Sequence, residues 1–229
     1  MNLDKYVFGD NESKTTLQMI VEDRLDVTKN EKHRVILYGV TGSGKTTLAQ
    51  DLCLAIESVK GGSPVEWNRM PDVYKVHPKN CALVVADISS KNDLGGNRSG
   101  LDYIILDKVD NMNANSQANL IQLMTLPKFS DNYIFIMTAQ SLDDVDDGIK
   151  NGCHCINMNM GDEAEYTRLL FELTQNEYNV DLPDGCIAKI VSEGGGSWRK
   201  MNSDLDIEVM MAGVLPVNYK LLAKMGKNK

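Results

Sequence analysis

Gly39-Val40-Thr41-Gly42-Ser43-Gly44-Lys45-Thr46-Thr47 is the stretch whose reading decides the fold. It fits the phosphate-loop pattern G-x-x-x-x-G-K-[ST] at every fixed position. Ahead of it, Val35-Ile36-Leu37-Tyr38 reads as a short buried strand, and from Thr46 to Ile56 apolar residues recur at helical spacing. Strand, glycine-rich turn and helix together form an anion site, because the first amides of a helix lack partners within it and carry the positive end of its dipole. Gly39, Gly42 and Gly44 let the backbone wrap closely and take dihedrals a Cβ would forbid. The candidate nucleotide-binding set is therefore Gly39, Thr41, Gly42, Ser43, Gly44, Lys45, Thr46 and Thr47, with Lys45 on the β- and γ-phosphates and the Thr46 hydroxyl on Mg²⁺. A glycine-rich turn that binds nothing is the alternative, and the flanking strand and helix argue against it.

Composition narrows the class. A chain of 229 residues, 42% hydrophobic and 24% charged, is long enough for one large domain or a large one plus a small one. No apolar run approaches the ~20 residues of a membrane span, and Met1-Asn2-Leu3-Asp4-Lys5 lacks the regions of a signal peptide. The expected setting is cytoplasmic, with no membrane partner. Five cysteines without a secretion signal point to reduced thiols rather than a disulfide framework. Cys153-His154-Cys155 invites a metal reading, but no second cysteine pair at zinc spacing follows, so a strand of small residues is the preferred one. A net charge of −8 argues against coating nucleic acid by bulk attraction. It leaves room for DNA held in a groove completed on oligomerisation.

In chain order, Lys14 to Leu25 is expected to be a helix capped by Asn11 or Ser13. Val65 to Lys79 reads as a short strand and irregular chain, and residues 82–88 as a better strand. Asp102-Tyr103-Ile104-Ile105-Leu106-Asp107 is an apolar strand ending in a carboxylate, the second nucleotide-binding signal, since an Asp here can hold the metal opposite the loop threonine. A helix from Asn115 to Leu126 and strands at 133–138 and 154–159 follow. Strands at 34–38, 82–88, 103–107, 133–138 and 154–159 imply an α/β fold with a parallel five-stranded sheet and nucleotide at its C-terminal edge. From Gly161 the pattern is wholly helical, with Ser197 as a cap and a last helix from Pro216. Residues 1–160 are thus expected to form the nucleotide-binding domain and 161–229 a helical lid domain.

This order of elements resembles the AAA+ ATPases, and most of all clamp-loader subunits such as the small subunits of replication factor C and their phage counterparts. Leu3-Asp4-Lys5-Tyr6-Val7-Phe8-Gly9-Asp10 resembles the N-terminal segment lining the adenine pocket, which makes Val7 and Phe8 candidate base contacts. Gly39 to Thr46 is Walker A, and Ile104 to Met112 is similar to the Walker B stretch L-D-E-A-D-x-M, with Thr46 and Asp107 as the metal pair. Ile136 to Asp143 resembles the sensor-1 strand, where Gln140 replaces the common Asn. Gly196-Ser197-Trp198-Arg199-Lys200-Met201-Asn202 resembles the lid helix, with Arg199 as sensor 2. The resemblance implies Lys45, Asp107, Gln140 and Arg199 as catalytic residues and ATP and Mg²⁺ as cofactors.

The departures from that pattern bear on turnover. Lys108 stands where the family has the Glu that polarises the attacking water, Gly152 where it has the arginine finger, and the collar domain is missing. Asp110 is the nearest carboxylate to substitute as base, with a helix-capping role as the competing reading. Slow turnover is expected, because an arginine finger alone can be worth 10³–10⁵ in rate in related enzymes. The leading expectation is an ATP-binding protein of DNA replication, clamp-loader-like or helicase-loader-like, acting in a bacterial cell or phage-infected host. It would assemble with a replication protein or sister AAA+ subunits as a homo- or hetero-oligomer. The alternatives are a catalytically degenerate adaptor or filament-forming module, and a nucleotide kinase, which the scarcity of arginines after residue 160 disfavours.

Overall fold

The computed structural model describes residues 1–22, 24–25, 34–61, 73–76, 99–125, 133–183 and 185–213. The framework is a parallel sheet in which β1 (Arg34–Tyr38) lies between β4 (Tyr133–Ala139) and β5 (His154–Asn157), with β3 (Asp102–Leu106) beyond β4 and β2 (Val73–Val76) at the far edge. Its spatial order is therefore β2-β3-β4-β1-β5. β3 and β4 are buried along their whole length, which is why both read as continuous apolar runs rather than as alternation.

The strand pleat sends alternate residues to two separate cores. Val35, Leu37, Tyr103, Ile105, Ile134 and Ile136 face one side, where helices α1 (Asn11–Val21) and α2 (Lys45–Lys60) cover them with Leu17, Ile20, Leu48, Leu52 and Ile56. Ile36, Ile104, Leu106, Phe135 and Met137 face the other, under α3 (Ala114–Thr125) and the short α4 (Asp147–Asn151). A third core binds the C-terminal helices α5 (Glu163–Leu173), α6 (Cys186–Gly194) and α7 (Trp198–Met211) through Tyr166, Leu170, Ile190, Met201 and Leu205. Val7 of the N-terminal segment joins this helical core, so the chain's start bridges the sheet layers and the helices.

Several local expectations change. The first helix is Asn11–Val21, and its cap is Asp10, whose Oδ1 accepts from the Ser13 amide at 2.7 Å; Ser13 Oγ is occupied instead in accepting from the Asn157 amide at 2.8 Å. Replacing Asp10 with Ala should cost about 1 kcal/mol of stability, measurable by chemical denaturation. The expected strand at 82–88 and the helix from Pro216 lie outside the described residues. The described β2 comes from the preceding stretch, where Val73 to Val76 pair in register with Tyr103 to Leu106. After Leu173 the helix widens into a turn of i→i+5 type over Thr174–Tyr178, and Asn179 ends it in the left-handed conformation. No described helix is long and apolar enough to cross a membrane.

Candidate functional site

Parallel register assembles the site. Tyr38 pairs with Ala139 and Leu106 with Met137, so the C-terminal ends of β1, β3 and β4 fall at one edge of the sheet. Three chemically distinct segments leave from that edge: the glycine loop, Asp107, and Thr138 with Gln140. This is the position at which open α/β sheets take ligands.

The loop's backbone has the expected form. Gly39, Gly42 and Gly44 have φ of 146°, 88° and 96°, and Gly44 sits at the start of α2 with no side chain capping that helix end. The first amides of α2 thus face a cradle of backbone donors of the kind that binds anions. A Cβ on Gly42 would stand 2.4 Å from Ser197 Oγ, because the loop packs against the first turn of α7. The Arg199 amide donates to Gly42 O at 3.1 Å, and Ser197 Oγ caps α7 by accepting from the Lys200 amide at 3.4 Å.

Lys45 is half-buried, and its Nζ donates to Gly39 O and Val40 O, both at 2.7 Å. Burial pushes the ammonium below the ordinary lysine range, Asp110 and Asp107 partly offset this, and the charges of Arg199 and Lys108 push it further down. Thr46 Oγ1 donates to Asp107 Oδ1 at 3.1 Å, so the two residues expected to share a metal already meet. The same carboxylate oxygen accepts from Thr138 Oγ1 at 2.7 Å, and Thr138 Oγ1 accepts from the Lys108 amide at 2.9 Å.

Asp110 does not cap a helix. Its Oδ2 accepts from the Gln140 amide at 3.0 Å, tying the turn after β3 to the end of β4, while its Oδ1 is buried with no partner. Asn113 caps α3 instead, accepting from the Ser116 amide at 2.8 Å.

These groups enclose a polar cleft of about 460 Å³ that takes in Thr41, Gly42, Gly44, Lys45, Thr46, Thr47, Asp107, Gln140 and Arg199 among the expected residues. It also holds Lys108, Thr138, Trp198 and Asn202. A second, more apolar cleft of about 450 Å³ adjoins it, lined by Tyr6, Val7, Ser43, Leu169, Leu173 and Trp198 among others. Tyr6 is fixed there by donating to Asp51 Oδ2 at 2.7 Å. Phe8 lines neither cleft; it is buried in the core on the α1 and α2 side of the sheet. Gly39 lies beneath the loop, its position closed by the Met158 backbone.

Thr138 and Asn202 were not legible as site residues from their own segments. A polar residue near the end of an otherwise apolar strand was the signal for Thr138. For Asn202 it was helical spacing: it follows Arg199 by three residues and Trp198 by four, one turn along α7.

The residues at the two remaining special positions have physical accounts. Gly152 closes α4, and a Cβ there would stand 2.7 Å from Arg34 Nη1, so the guanidinium of β1 fills the space an arginine side chain at 152 would need. Cys153 is buried, and Cys155 and His154 lie on β5 with His154 and Cys155 on successive, opposite-facing positions. Among the described residues no group of three or more His, Cys, Asp and Glu side chains forms a metal site.

The fold is similar to those of RuvB and DnaA. It superposes on RuvB, the Holliday junction branch migration motor of Thermotoga maritima, with a TM-score of 0.65 and 14% identity, covering 95% of this chain and 68% of that one. Domain III of the Thermotoga maritima replication initiation protein DnaA gives 0.56 and 13%, covering 93% and 91%. The replication initiator DnaA bound to AMPPCP and single-stranded DNA gives 0.59 and 16%, covering 90% and 63%. Among curated protein sequences none matches. The family model described as Novel STAND NTPase 3 matches residues 21–175, which span the glycine loop, the sheet and α5, and the chain belongs to that family.

Proposed function

We propose that this protein is an ATP- and Mg²⁺-binding switch whose nucleotide state controls its assembly on DNA or on a replication protein, with slow turnover. The observation that carries the reading is the Lys45, Thr46, Asp107 and Thr138 constellation at the end of three aligned strands, facing an uncapped helix N-terminus. The donor set suits the ion: Thr46 and Asp107 offer hard oxygens, the ligands Mg²⁺ prefers together with phosphate. Bound there, Mg²⁺ would neutralise phosphate charge. Lys45 would exchange its two loop carbonyls for phosphate oxygens, and Arg199 would reach the same cleft from α7. The second cleft, with Tyr6, Val7 and Trp198, suits the base and sugar. Residues 1–160 act as the nucleotide domain and the helices from 161 onward as the lid.

Lys108 occupies the usual position of the base, and Asp110, with Oδ2 held by the Gln140 amide and Oδ1 buried, does not line the cleft to replace it, which supports slow turnover. The assembly role draws on the clamp-loader-like order of motifs and on the likeness to RuvB and DnaA, the latter solved with a nucleotide analogue and single-stranded DNA. A second reading, a degenerate adaptor that binds nucleotide without turnover, is favoured by Lys108 and by the Arg34 guanidinium packed at Gly152.

The test is titration of a fluorescent ATP analogue with and without Mg²⁺. Thr46→Val should abolish the Mg²⁺-dependent part of the affinity, a loss of about tenfold or more from one charge-assisted contact. Equal Mg²⁺ dependence in Thr46→Val and the unaltered chain would sink the assignment. ATPase assays with and without DNA then separate the two readings, because robust DNA-stimulated hydrolysis excludes the adaptor.

A further inference from the structure

We propose that Lys108 reads the terminal phosphate of a bound nucleoside triphosphate, so that the residue standing in place of a general base serves as a triphosphate sensor. The inference rests on the nucleotide reading above and deepens it.

The polarity of the ligand follows from how the two clefts join. Gly44, Thr47 and Trp198 line both, so a molecule with an apolar head and an anionic tail passes from one to the other beside the start of α2. Asp107, Lys108 and Gln140 line only the polar cleft. They stand at the end of the tail. Of the three, Asp107 meets Thr46 of the loop at 3.1 Å and Lys108 is the cation, and a terminal phosphate beside it is the one that a diphosphate lacks.

The backbone at Lys108 is a second observation. Its φ of 61° and ψ of 57° lie in the left-handed region, which a residue bearing a long side chain seldom occupies. The conformation is held by the amide's hydrogen bond to Thr138 Oγ1 at 2.9 Å, and that hydroxyl in turn donates to Asp107 Oδ1 at 2.7 Å. Residue 108 is thereby clamped to the carboxylate at the centre of the site. Glycine or asparagine would adopt this geometry with less strain. Backbone strain retained at a ligand-facing position is a mark of function.

The third observation is charge. The Lys108 side chain is exposed and lines the same cleft as Lys45 and Arg199. Three cations around one cleft repel each other, and among the residues that line it Asp107 supplies the opposing carboxylate. A polyanion stabilises what the ligand-free site leaves unbalanced.

Calorimetric titration of the full chain with Mg²⁺ and either a non-hydrolysable ATP analogue or ADP tests this. Lys108→Asn tolerates the left-handed backbone and removes the charge, and Lys108→Arg restores a cation. The expected result is a fall of about tenfold in affinity for the ATP analogue in Lys108→Asn, with ADP affinity changed less than twofold, and recovery of the preference for triphosphate in Lys108→Arg. An unchanged ratio of ATP-analogue to ADP affinity in Lys108→Asn overturns the sensor and leaves the nucleotide site standing, as does a parallel fall in both. An unaltered chain that binds neither nucleotide overturns the nucleotide reading and the sensor with it.

Discussion

Gly39→Ala should destabilise the fold by about 3 kcal/mol or more, through a clash added to backbone strain. A Cβ at this position would lie 2.4 Å from both C and O of Met158 and 2.6 Å from the Asn159 amide, all of them backbone atoms. That backbone has little freedom to move aside, since the Met158 amide donates to Tyr38 O at 2.6 Å as the continuation of the β1–β5 ladder. The φ of 146° adds the cost of holding a side-chain-bearing residue outside its allowed regions. For a chain of this length the expected fall in melting temperature is about 10 °C. Gly185→Ala is the matched control. It also has positive φ, but an added Cβ there meets nothing within 4 Å, so only the conformational cost of about 1 kcal/mol remains. Equal melting shifts in the two variants would show that the Met158 backbone yields and that the steric account is wrong.

Lys45→Ala should leave the fold standing and remove nucleotide binding. Each hydrogen bond from a charged donor contributes about 1.5–3 kcal/mol, so losing the ammonium's contacts to two phosphates predicts a fall in ATP affinity of about 100-fold or more. Stability should change little, because two effects oppose each other. The carbonyls of Gly39 and Val40 lose their donor, while the chain is relieved of burying a cation whose charged form the surroundings disfavour. Affinity and melting temperature measured on the same preparation check both halves. Retained ATP affinity in a folded Lys45→Ala protein would mean that the loop does not hold the phosphates.

Much of this site was legible because its first part is local. Strand β1, the loop and α2 run consecutively, and apolar spacing, glycines and a Lys-Thr pair within about 25 residues of chain encode their geometry. The second carboxylate, Asp107, was readable for a similar reason, as the abrupt end of an apolar strand. What the chain did not disclose depends on contacts between distant segments. Thr138 meets Asp107 only because β3 and β4 pair in a given register, and no pattern inside Tyr133–Ala139 reports that register. Phe8 resembled a base contact by sequence position, yet its side chain packs into the sheet core and leaves Val7 and Tyr6 at the cleft. Asp110 looked like a cap because short polar residues before helices usually are; a backbone amide 30 residues downstream competes for its carboxylate and wins. β2 is weakly encoded because a four-residue strand takes its stability from pairing with β3 rather than from its own propensity.

The hydrogen bond from the Arg199 amide to Gly42 O joins the most conformationally permissive part of the chain to the end of a 14-residue rod. An α-helix of that length is about 20 Å long, so a tilt of about 10° at its first turn sweeps the far end through roughly 3–4 Å. Met211, 78% exposed, rides at that end, with Ile207 exposed one turn before it. The glycine loop is thus a fulcrum as well as a cradle. A rearrangement of Gly42 that tilts α7 would be magnified along the helix and reach the exposed apolar side chains of its last turns.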